Sequence, residues 1–216
     1  MDLRLYHSPF ACSLACRFAL AEANLPHELV MVRTSRQENR SEEFKRINPT
    51  QKIPVLEANG TIITETSAIL PFIAELSPSS QLLPTDPIKK AQVLSLVGYL
   101  SSTVHPAWTA IMHPERFTAE PNSIKDVRNS AITRIGASLQ LLETTFSSTP
   151  LGETFDISQA YLAVLLAWRA HPLVKGLPLT PALDMLQERV LARPRLQPLV
   201  QADLAAYAED MTDKTE

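Results

Sequence analysis

The fold is decided by residues 2–32, DLRLYHSPFACSLACRFALAEANLPHELVMV, whose hydrophobic period changes twice. Leu3 and Leu5 alternate with polar neighbours, which is typical of a half-buried strand. Residues 8–25 then place apolar side chains at helical spacing, and residues 29–32 are strand-like again. A strand, a helix and a strand in this order predict a βαβ unit, with a parallel strand pair and a right-handed crossover.

The helix of this unit is predicted to begin directly after the first strand. Ser8 is a typical N-cap residue and Pro9 a favoured first helical residue, while Pro26 stops the helix. Cys12 and Ser13 then lie in the opening turn. Free N–H groups and a partial charge of roughly +0.5 at that place lower the pKa of a thiol, either the helix's own or a ligand's. Alternatively, Cys12 is an apolar filler and Ser13 a local cap.

The next segment also mixes helices and strands. A short polar helix is predicted over residues 41–47, and strands are predicted over residues 54–56 and 61–64. The Asn-Gly pair at residues 59–60 is a strong hairpin signal between these strands. An amphipathic helix follows and is predicted to begin at residue 66 or 67, because Pro71 is tolerated only near a helix start.

The mixed pattern of helices and strands ends near residue 80. Residues 78–87, in the Pro- and Ser-rich stretch SPSSQLLPTDP, predict a linker between a first domain (1–77) and a second domain (88–216). No strand is predicted beyond this linker. Long helices are predicted around residues 97–111 and 124–146, and shorter ones around residues 181–192 and 194–209. Between these pairs, Asp156 and Gln159 form a capping-box pattern ahead of AYLAVLLAW, a helix apolar nearly all round and expected at the centre of the second domain.

Composition excludes several classes of protein. The chain has 216 residues, 45% hydrophobic and 20% charged, which is typical of a globular protein. Its net charge of -3 argues against a nucleic-acid binder with a broad basic face. No apolar run is long enough to cross a bilayer, two cysteines make no disulfide framework, and no Cys/His spacing suggests zinc. We therefore expect a soluble cytoplasmic protein without a metal.

Two further motifs carry binding chemistry. Lys52-Ile53-Pro54 precedes a strand, where Ile53 could offer its backbone to an extended peptide, although an ordinary strand-entry proline explains the same pattern. Glu65 and Thr66 precede a helix whose free N–H groups suit a carboxylate, while Glu65 suits an ammonium group. Together these last two are complementary to an amino-acid head group, although simple capping is the alternative.

The motifs occur in the order and spacing of a known family. They are YHSPFACSL at residues 6–14, KIPV at residues 52–55 and TETSAI at residues 64–69. HPAW at residues 105–108 and the capping pattern at Asp156 also fit. Over nearly its whole length the chain resembles the glutathione S-transferase family, most closely the bacterial beta class. The resemblance implies an N-terminal thioredoxin-like domain (βαβ-α-ββ-α) followed by a C-terminal helical bundle.

The resemblance also implies a site for glutathione as co-substrate. The backbone of Ile53 would pair with the cysteinyl part of glutathione ahead of a cis Pro54. Glu65 and Thr66 would hold the γ-glutamyl amine and carboxylate. His105 would approach the tripeptide from the helical domain, although an ordinary histidine beside a helix kink at Pro106 is the alternative.

The catalytic residues implied by the resemblance are Cys12 and Ser13, which face the glutathione sulfur in the beta class. Tyr6 is a minor candidate, because it stands where other classes carry a catalytic tyrosine. Arg33 and Arg36 could attract the glycyl carboxylate or simply form a solvated charged face.

The function implied is transfer of glutathione to a hydrophobic electrophile, as in detoxification, by a homodimer that binds neither nucleic acid nor membrane. Phe10, Trp108, Ile111 and Met112 are candidates for lining the electrophile site. Two alternatives stay open: thiol-disulfide exchange through Cys12, and a non-catalytic binding or scaffold protein on the same fold. Beta-class members usually carry glycine where this chain has Phe10, and the chain has one extra residue before Cys12; a crowded sulfur site would favour the scaffold.

Overall fold

The computed structural model describes residues 1–148 and 154–212. The first part of the chain forms four strands and three helices. The strands are β1 (Leu3–His7), β2 (Glu28–Met31), β3 (Val55–Ala58) and β4 (Thr61–Thr64), and the helices are α1 (Ser13–Glu22), α2 (Glu42–Ile47) and α3 (Thr66–Leu76). The rest of the described chain is helical: α4 (Pro87–Tyr99), α5 (His105–Met112), α6 (Ile124–Ser148), α7 (Ile157–Ala167), α8 (Pro181–Leu191) and α9 (Gln197–Thr212). The thioredoxin-like domain followed by an all-helical one is confirmed.

The sheet has the strand order β2-β1-β3-β4. β1 pairs parallel with β2 and antiparallel with β3, and β3 and β4 form the hairpin expected from Asn59-Gly60. Because side chains alternate along a strand, Leu5 and Leu56 join the core with α1 and α3. Tyr6 and Val55 point to the opposite face, where they pack with Phe44 of α2.

The start of α1 differs from the sequence prediction. The helix begins at Ser13 with Cys12 as N-cap, and not at Pro9. The backbone first makes a turn in which the amide of Ala11 donates to the carbonyl of Ser8, and Phe10 then adopts a φ of 57°. A left-handed residue cannot continue a right-handed helix, so the helix starts only after this turn.

The linker stretch contains a short 3-10 turn, Pro78–Ser80, and is held against the helical domain. Leu82 is buried, and its carbonyl accepts a hydrogen bond from the amide of Ile157. Asp86 then caps α4 by accepting a hydrogen bond from the amide of Lys89 at 2.8 Å. The stretch is therefore anchored to the helical domain.

The predicted long helix around residues 97–111 is interrupted. α4 passes through a π-helical turn, Leu100–Val104, into α5. Pro106 lacks an N–H group and cannot bond to the preceding turn, and a wider turn accommodates it. The turn places His105 at the start of α5.

Helix α7 is the centre of the helical domain, as predicted: every residue from Ile157 to Leu166 is buried. Asp156 caps it by accepting hydrogen bonds from the amides of Ser158 and Gln159. The expected second half of the capping box differs, because the Gln159 amide group donates to the carbonyl of Thr154. Within the described ranges, no helix combines the length and apolar composition needed to cross a membrane.

Candidate active site

A cavity of about 820 Å³ opens where the two parts of the chain meet. One side is formed by residues 9–12, 51–54 and 64–66 of the first domain. The other side is formed by parts of α5, α7 and α9. A volume of this size is ample for a small peptide with a second small molecule, since ligand sites commonly span ~300–1,000 Å³.

Cys12 faces this cavity from the N-terminus of α1. Its thiol donates a weak hydrogen bond to the carbonyl of Ile53 at 3.5 Å. Burial raises the pKa of the Cys12 thiol to about 11, although the Thr66 hydroxyl and the amides of Cys12 and Ser13 act in the opposite direction. The thiol is therefore protonated at neutral pH and can donate a hydrogen bond to a ligand.

Ser13 lies behind the cavity wall rather than in it. Its side chain is fully buried, and its hydroxyl lies 2.7 Å from Nδ1 of His7 and 3.2 Å from the amide of Ser8. Nε2 of His7 in turn lies 2.7 Å from the carboxylate of Asp203. These are the residue types of a nucleophilic triad, but the hydroxyl does not line the cavity. Of the predicted catalytic pair, only Cys12 faces the cavity, and Ser13 supports its turn.

The segment around Ile53 offers an unpaired backbone amide. The Ile53–Pro54 peptide bond is cis, and both residues line the cavity. Among the residues that the structure describes, none accepts a hydrogen bond from the Ile53 amide. Asn48 holds the segment from behind by donating to the carbonyl of Lys52 at 2.8 Å. An extended peptide bound here could accept from the Ile53 amide.

Glu65 and Thr66 stand where α3 points into the cavity. Glu65 is exposed and has a φ of 69°, a conformation that side chains rarely adopt and that is common at ligand sites. The amides of Thr66 and Ser67 have no acceptor within the described chain, because the bonds of α3 begin with Ala68 donating to the Glu65 carbonyl. An exposed carboxylate beside free N–H groups suits a ligand that carries both an ammonium and a carboxylate.

His105 reaches the same cavity from the helical domain and is paired with Tyr161, a residue that the sequence analysis missed. Nδ1 of His105 lies 2.7 Å from the Tyr161 hydroxyl, and its ring packs edge-on against Trp168. Burial, with the charge of Lys52, lowers the pKa of His105 to about 4. The imidazole is therefore neutral at physiological pH. Tyr161 sits in the apolar run AYLAVLLAW, where only its hydroxyl distinguishes it from core residues.

The turn that carries Cys12 is fixed from the helical domain through Phe10. Trp168 donates from Nε1 to the carbonyl of Phe10 at 3.0 Å, and Asp203 accepts from the amide of Phe10 at 2.8 Å. The ring of Phe10 stacks on Tyr207 with 4.8 Å between the ring centroids. Both backbone groups and the side chain of this residue are therefore held.

Several other predictions are corrected by the structure. Trp108 and Ile111 are fully buried and do not line the cavity, whereas Phe10 and Met112 do. Tyr6 lies on the far face of the sheet.

Arg33 and Arg36 do not line the cavity either; both pair with Asp210 of α9. No group of three or more His, Cys, Asp or Glu side chains suited to a metal ion occurs in residues 1–148 and 154–212.

Sequence comparisons identify relatives of this chain. A family model described as "Glutathione S-transferase, N-terminal domain" matches residues 1–75. The curated glutathione S-transferase GstA of Escherichia coli O157:H7 is 27% identical over 207 residues, covering 93% of this chain and 98% of that protein.

Solved structures resemble the whole fold. A glutathione transferase homologue from Sulfitobacter with bound glutathione is 30% identical, covers 93% of this chain and 98% of its own, and superposes with a TM-score of 0.86. A beta-class glutathione S-transferase from Sphingomonas chungbukensis is 28% identical, with the same coverage and a TM-score of 0.79. The chain therefore belongs to the glutathione S-transferase family.

Proposed function

We propose that the protein is a glutathione transferase that binds glutathione along residues 51–66 and adds its thiolate to an electrophile held in the same cavity. The observation that carries this is the convergence on one cavity of three groups that can bind a peptide ligand. They are the protonated thiol of Cys12, the unpaired amide of Ile53 and the free N-terminus of α3 beside Glu65. Each complements a different part of a γ-glutamyl tripeptide.

The γ-glutamyl end fits the start of α3. Its carboxylate can accept hydrogen bonds from the amides of Thr66 and Ser67, where the helix dipole favours negative charge. Its ammonium group can pair with the exposed carboxylate of Glu65. The cysteinyl residue then lies along Ile53, whose amide needs an acceptor. This orientation directs the ligand's sulfur toward Cys12, which touches the Ile53 carbonyl.

The sulfur must be ionised to react. An ordinary thiol has a pKa of about 8.5, and a fall of about two units, or about 2.7 kcal/mol, makes the thiolate dominant at neutral pH. The protonated thiol of Cys12 can donate to the thiolate, and the amides of Cys12 and Ser13 at the start of α1 favour negative charge close by. The proton leaves to solvent. The thiolate then forms a carbon–sulfur bond with the electrophile, while the bond from that carbon to a leaving group breaks and the leaving group departs with the electron pair.

The state of Cys12 favours conjugation over the exchange reaction. Thiol-disulfide exchange through Cys12 requires its thiolate. Burial raises the pKa of this thiol to about 11, so little thiolate is present at neutral pH. A purely structural scaffold has no need of a cavity lined by unsatisfied donors. Phe10 does not favour the scaffold, because its ring stacks on Tyr207 at the cavity wall.

We also propose a homodimer, a cytoplasmic location and a role in detoxification, on the basis of family membership. A cytoplasmic location suits a free Cys12, because thiols stay reduced in that compartment. The mass in solution, measured by light scattering, tests the dimer: a particle of about 24 kDa at micromolar concentration would contradict it.

The central proposal is tested by titrating bound glutathione. Calorimetry with the wild type is expected to show millimolar or tighter binding, and thiolate absorbance against pH is expected to show a bound thiol pKa about two units below 8.5. Removing one hydrogen-bond donor in Cys12→Ala raises this pKa by about one unit. Ser13→Ala serves as the comparison, because its hydroxyl acts on the turn and not on the ligand. Absence of glutathione binding in the wild type would overturn the proposal.

A further inference from the structure

The wall of the cavity carries more positive than negative charge. Among the described residues that line it, the lysines and arginines are Arg40, Lys52 and Arg116, whereas Glu65 is the only acidic residue. The whole chain has a net charge of -3, so this excess of positive charge is local. A cleft lined mainly by one sign of charge concentrates ligands of the opposite sign.

These three cations are not neutralised by the protein. Within residues 1–148 and 154–212, none of them forms a hydrogen bond or an ion pair through its side chain. In contrast, Arg33 and Arg193 are paired with Asp210 and Glu22. Unpaired cations at a binding cavity are available to a ligand.

These three cations lie close enough to two histidines to lower their pKa values. Lys52 contributes to the lowered pKa of His105, and Arg116 and Arg40 contribute to the lowered pKa of His113, although burial is the larger cause in both cases. Arg116 and Arg40 therefore approach the same rim of the cavity from different domains.

Glutathione accounts for the cations of the first domain. If glutathione binds with its γ-glutamyl end at α3 and its cysteine along Ile53, its glycyl carboxylate would be available to Lys52 and Arg40, which line the same cavity. Both of these residues belong to the same domain as the glutathione contacts. Arg116 lies on the helical domain, in a segment that also contributes Met112 and Phe117 to the wall. The glutathione contacts proposed above lie at residues 51–66 of the first domain, so Arg116 is the lining cation that they do not account for.

We propose that Arg116 selects a second substrate that is an organic anion: an electrophile with an apolar body and a carboxylate. This inference rests on the proposed function. The carboxylate pairs with the guanidinium, a geometry that arginine favours, while the apolar body packs against Met112 and Phe117. For an aryl chloride, the thiolate forms a carbon–sulfur bond at the carbon that carries chlorine, the carbon–chlorine bond breaks and chloride leaves.

The test compares a chloronitrobenzoate, with chlorine ortho to the nitro group, with its methyl ester. The two share the reacting ring and differ in the charge. Each kcat/KM is divided by the uncatalysed rate constant with glutathione, because the intrinsic reactivities differ. The enzymes are the wild type, Arg116→Gln and, as a matched control, Arg134→Gln, which removes an exposed arginine of the same domain outside the cavity.

The wild type is expected to accelerate the acid more than the ester. Arg116→Gln lowers kcat/KM for the acid about fivefold to tenfold and changes the ester less than twofold, while Arg134→Gln changes neither. Added salt weakens the wild-type preference for the acid. Equal effects on acid and ester, or a raised KM for glutathione in Arg116→Gln, overturn this inference while the proposed function stands. Failure of the wild type to bind glutathione and to convert the ester removes the proposed function itself.

Discussion

The carboxylate of Asp203, near the C-terminal end of the described chain, accepts a hydrogen bond of 2.8 Å from the backbone amide of Phe10. The same carboxylate lies 2.7 Å from His7 and 3.4 Å from Arg17, and it is almost fully buried. The turn that presents Cys12 to the cavity is thus held by α9 as well as by its own strand and helix. The geometry of the site therefore depends on the docking of the last helix.

Asp203→Asn is expected to destabilise the protein by about 3 kcal/mol, because it leaves the buried guanidinium of Arg17 without a counter-charge. The loosened turn also raises the KM for glutathione. Urea unfolding and initial rates measure the two effects. Gln201→Ala, on the exposed side of the same helix, is the matched control and changes neither. Full wild-type stability in Asp203→Asn would show that α9 does not hold the turn.

His105 predicts a pH dependence of stability. Its pKa is about 4 in the folded chain and about 6.5 when unfolded, so between these values the unfolded chain binds the additional proton. The free energy of unfolding therefore rises with pH through this window and falls on acidification, by about 3 kcal/mol from this group.

The His105→Gln variant isolates that effect. Its stability is expected to change less steeply between pH 4 and 6.5 than that of the wild type. Because the substitution also removes the bond to Tyr161, slopes and not absolute values are compared. His7, whose pKa is also lowered by burial, is present in both proteins and cancels. Parallel curves for the two proteins would contradict a neutral His105.

Cys12 is expected to react slowly with thiol reagents. With a pKa of about 11 it is almost entirely protonated at neutral pH, and the thiolate is the reactive form. Alkylation by iodoacetamide, followed by intact mass, is predicted to be at least about tenfold slower than for free glutathione and to accelerate with rising pH. Cys12→Ala identifies the modified residue. Rapid labelling, or a stable glutathione adduct on Cys12, would instead support disulfide exchange.

Phe10 allows a test of backbone strain against side-chain packing. Its φ of 57° suits glycine, while its ring stacks on Tyr207. Phe10→Ala loses the stacking and keeps the strain, whereas Phe10→Gly loses the stacking and removes the strain. Phe10→Gly is therefore expected to be more stable than Phe10→Ala by about 1 kcal/mol, measured by urea unfolding. The reverse order would mean that the turn relaxes out of the left-handed region when the ring is lost.

Local patterns were sufficient for the elements and their order. Three patterns each reflect the conformational preference of a few neighbouring residues: the alternation at Leu3 and Leu5, the Asn-Gly pair at residues 59–60 and the apolar run of α7. Such preferences act over one or two turns of chain, and a single sequence displays them. The motif at Glu65 and Thr66 was visible for the same reason, because a helix start has a local signature.

Contacts between distant residues were decided only by the tertiary structure. No local pattern joins Phe10 to Asp203 or His105 to Tyr161, which are 193 and 56 positions apart. The left-handed Phe10 turn delays α1 to Ser13, and burial, not helix position alone, sets the pKa of Cys12. The pKa of a buried group and the lining of a cavity both depend on all the residues that pack around them. Both are therefore determined only when the chain has folded.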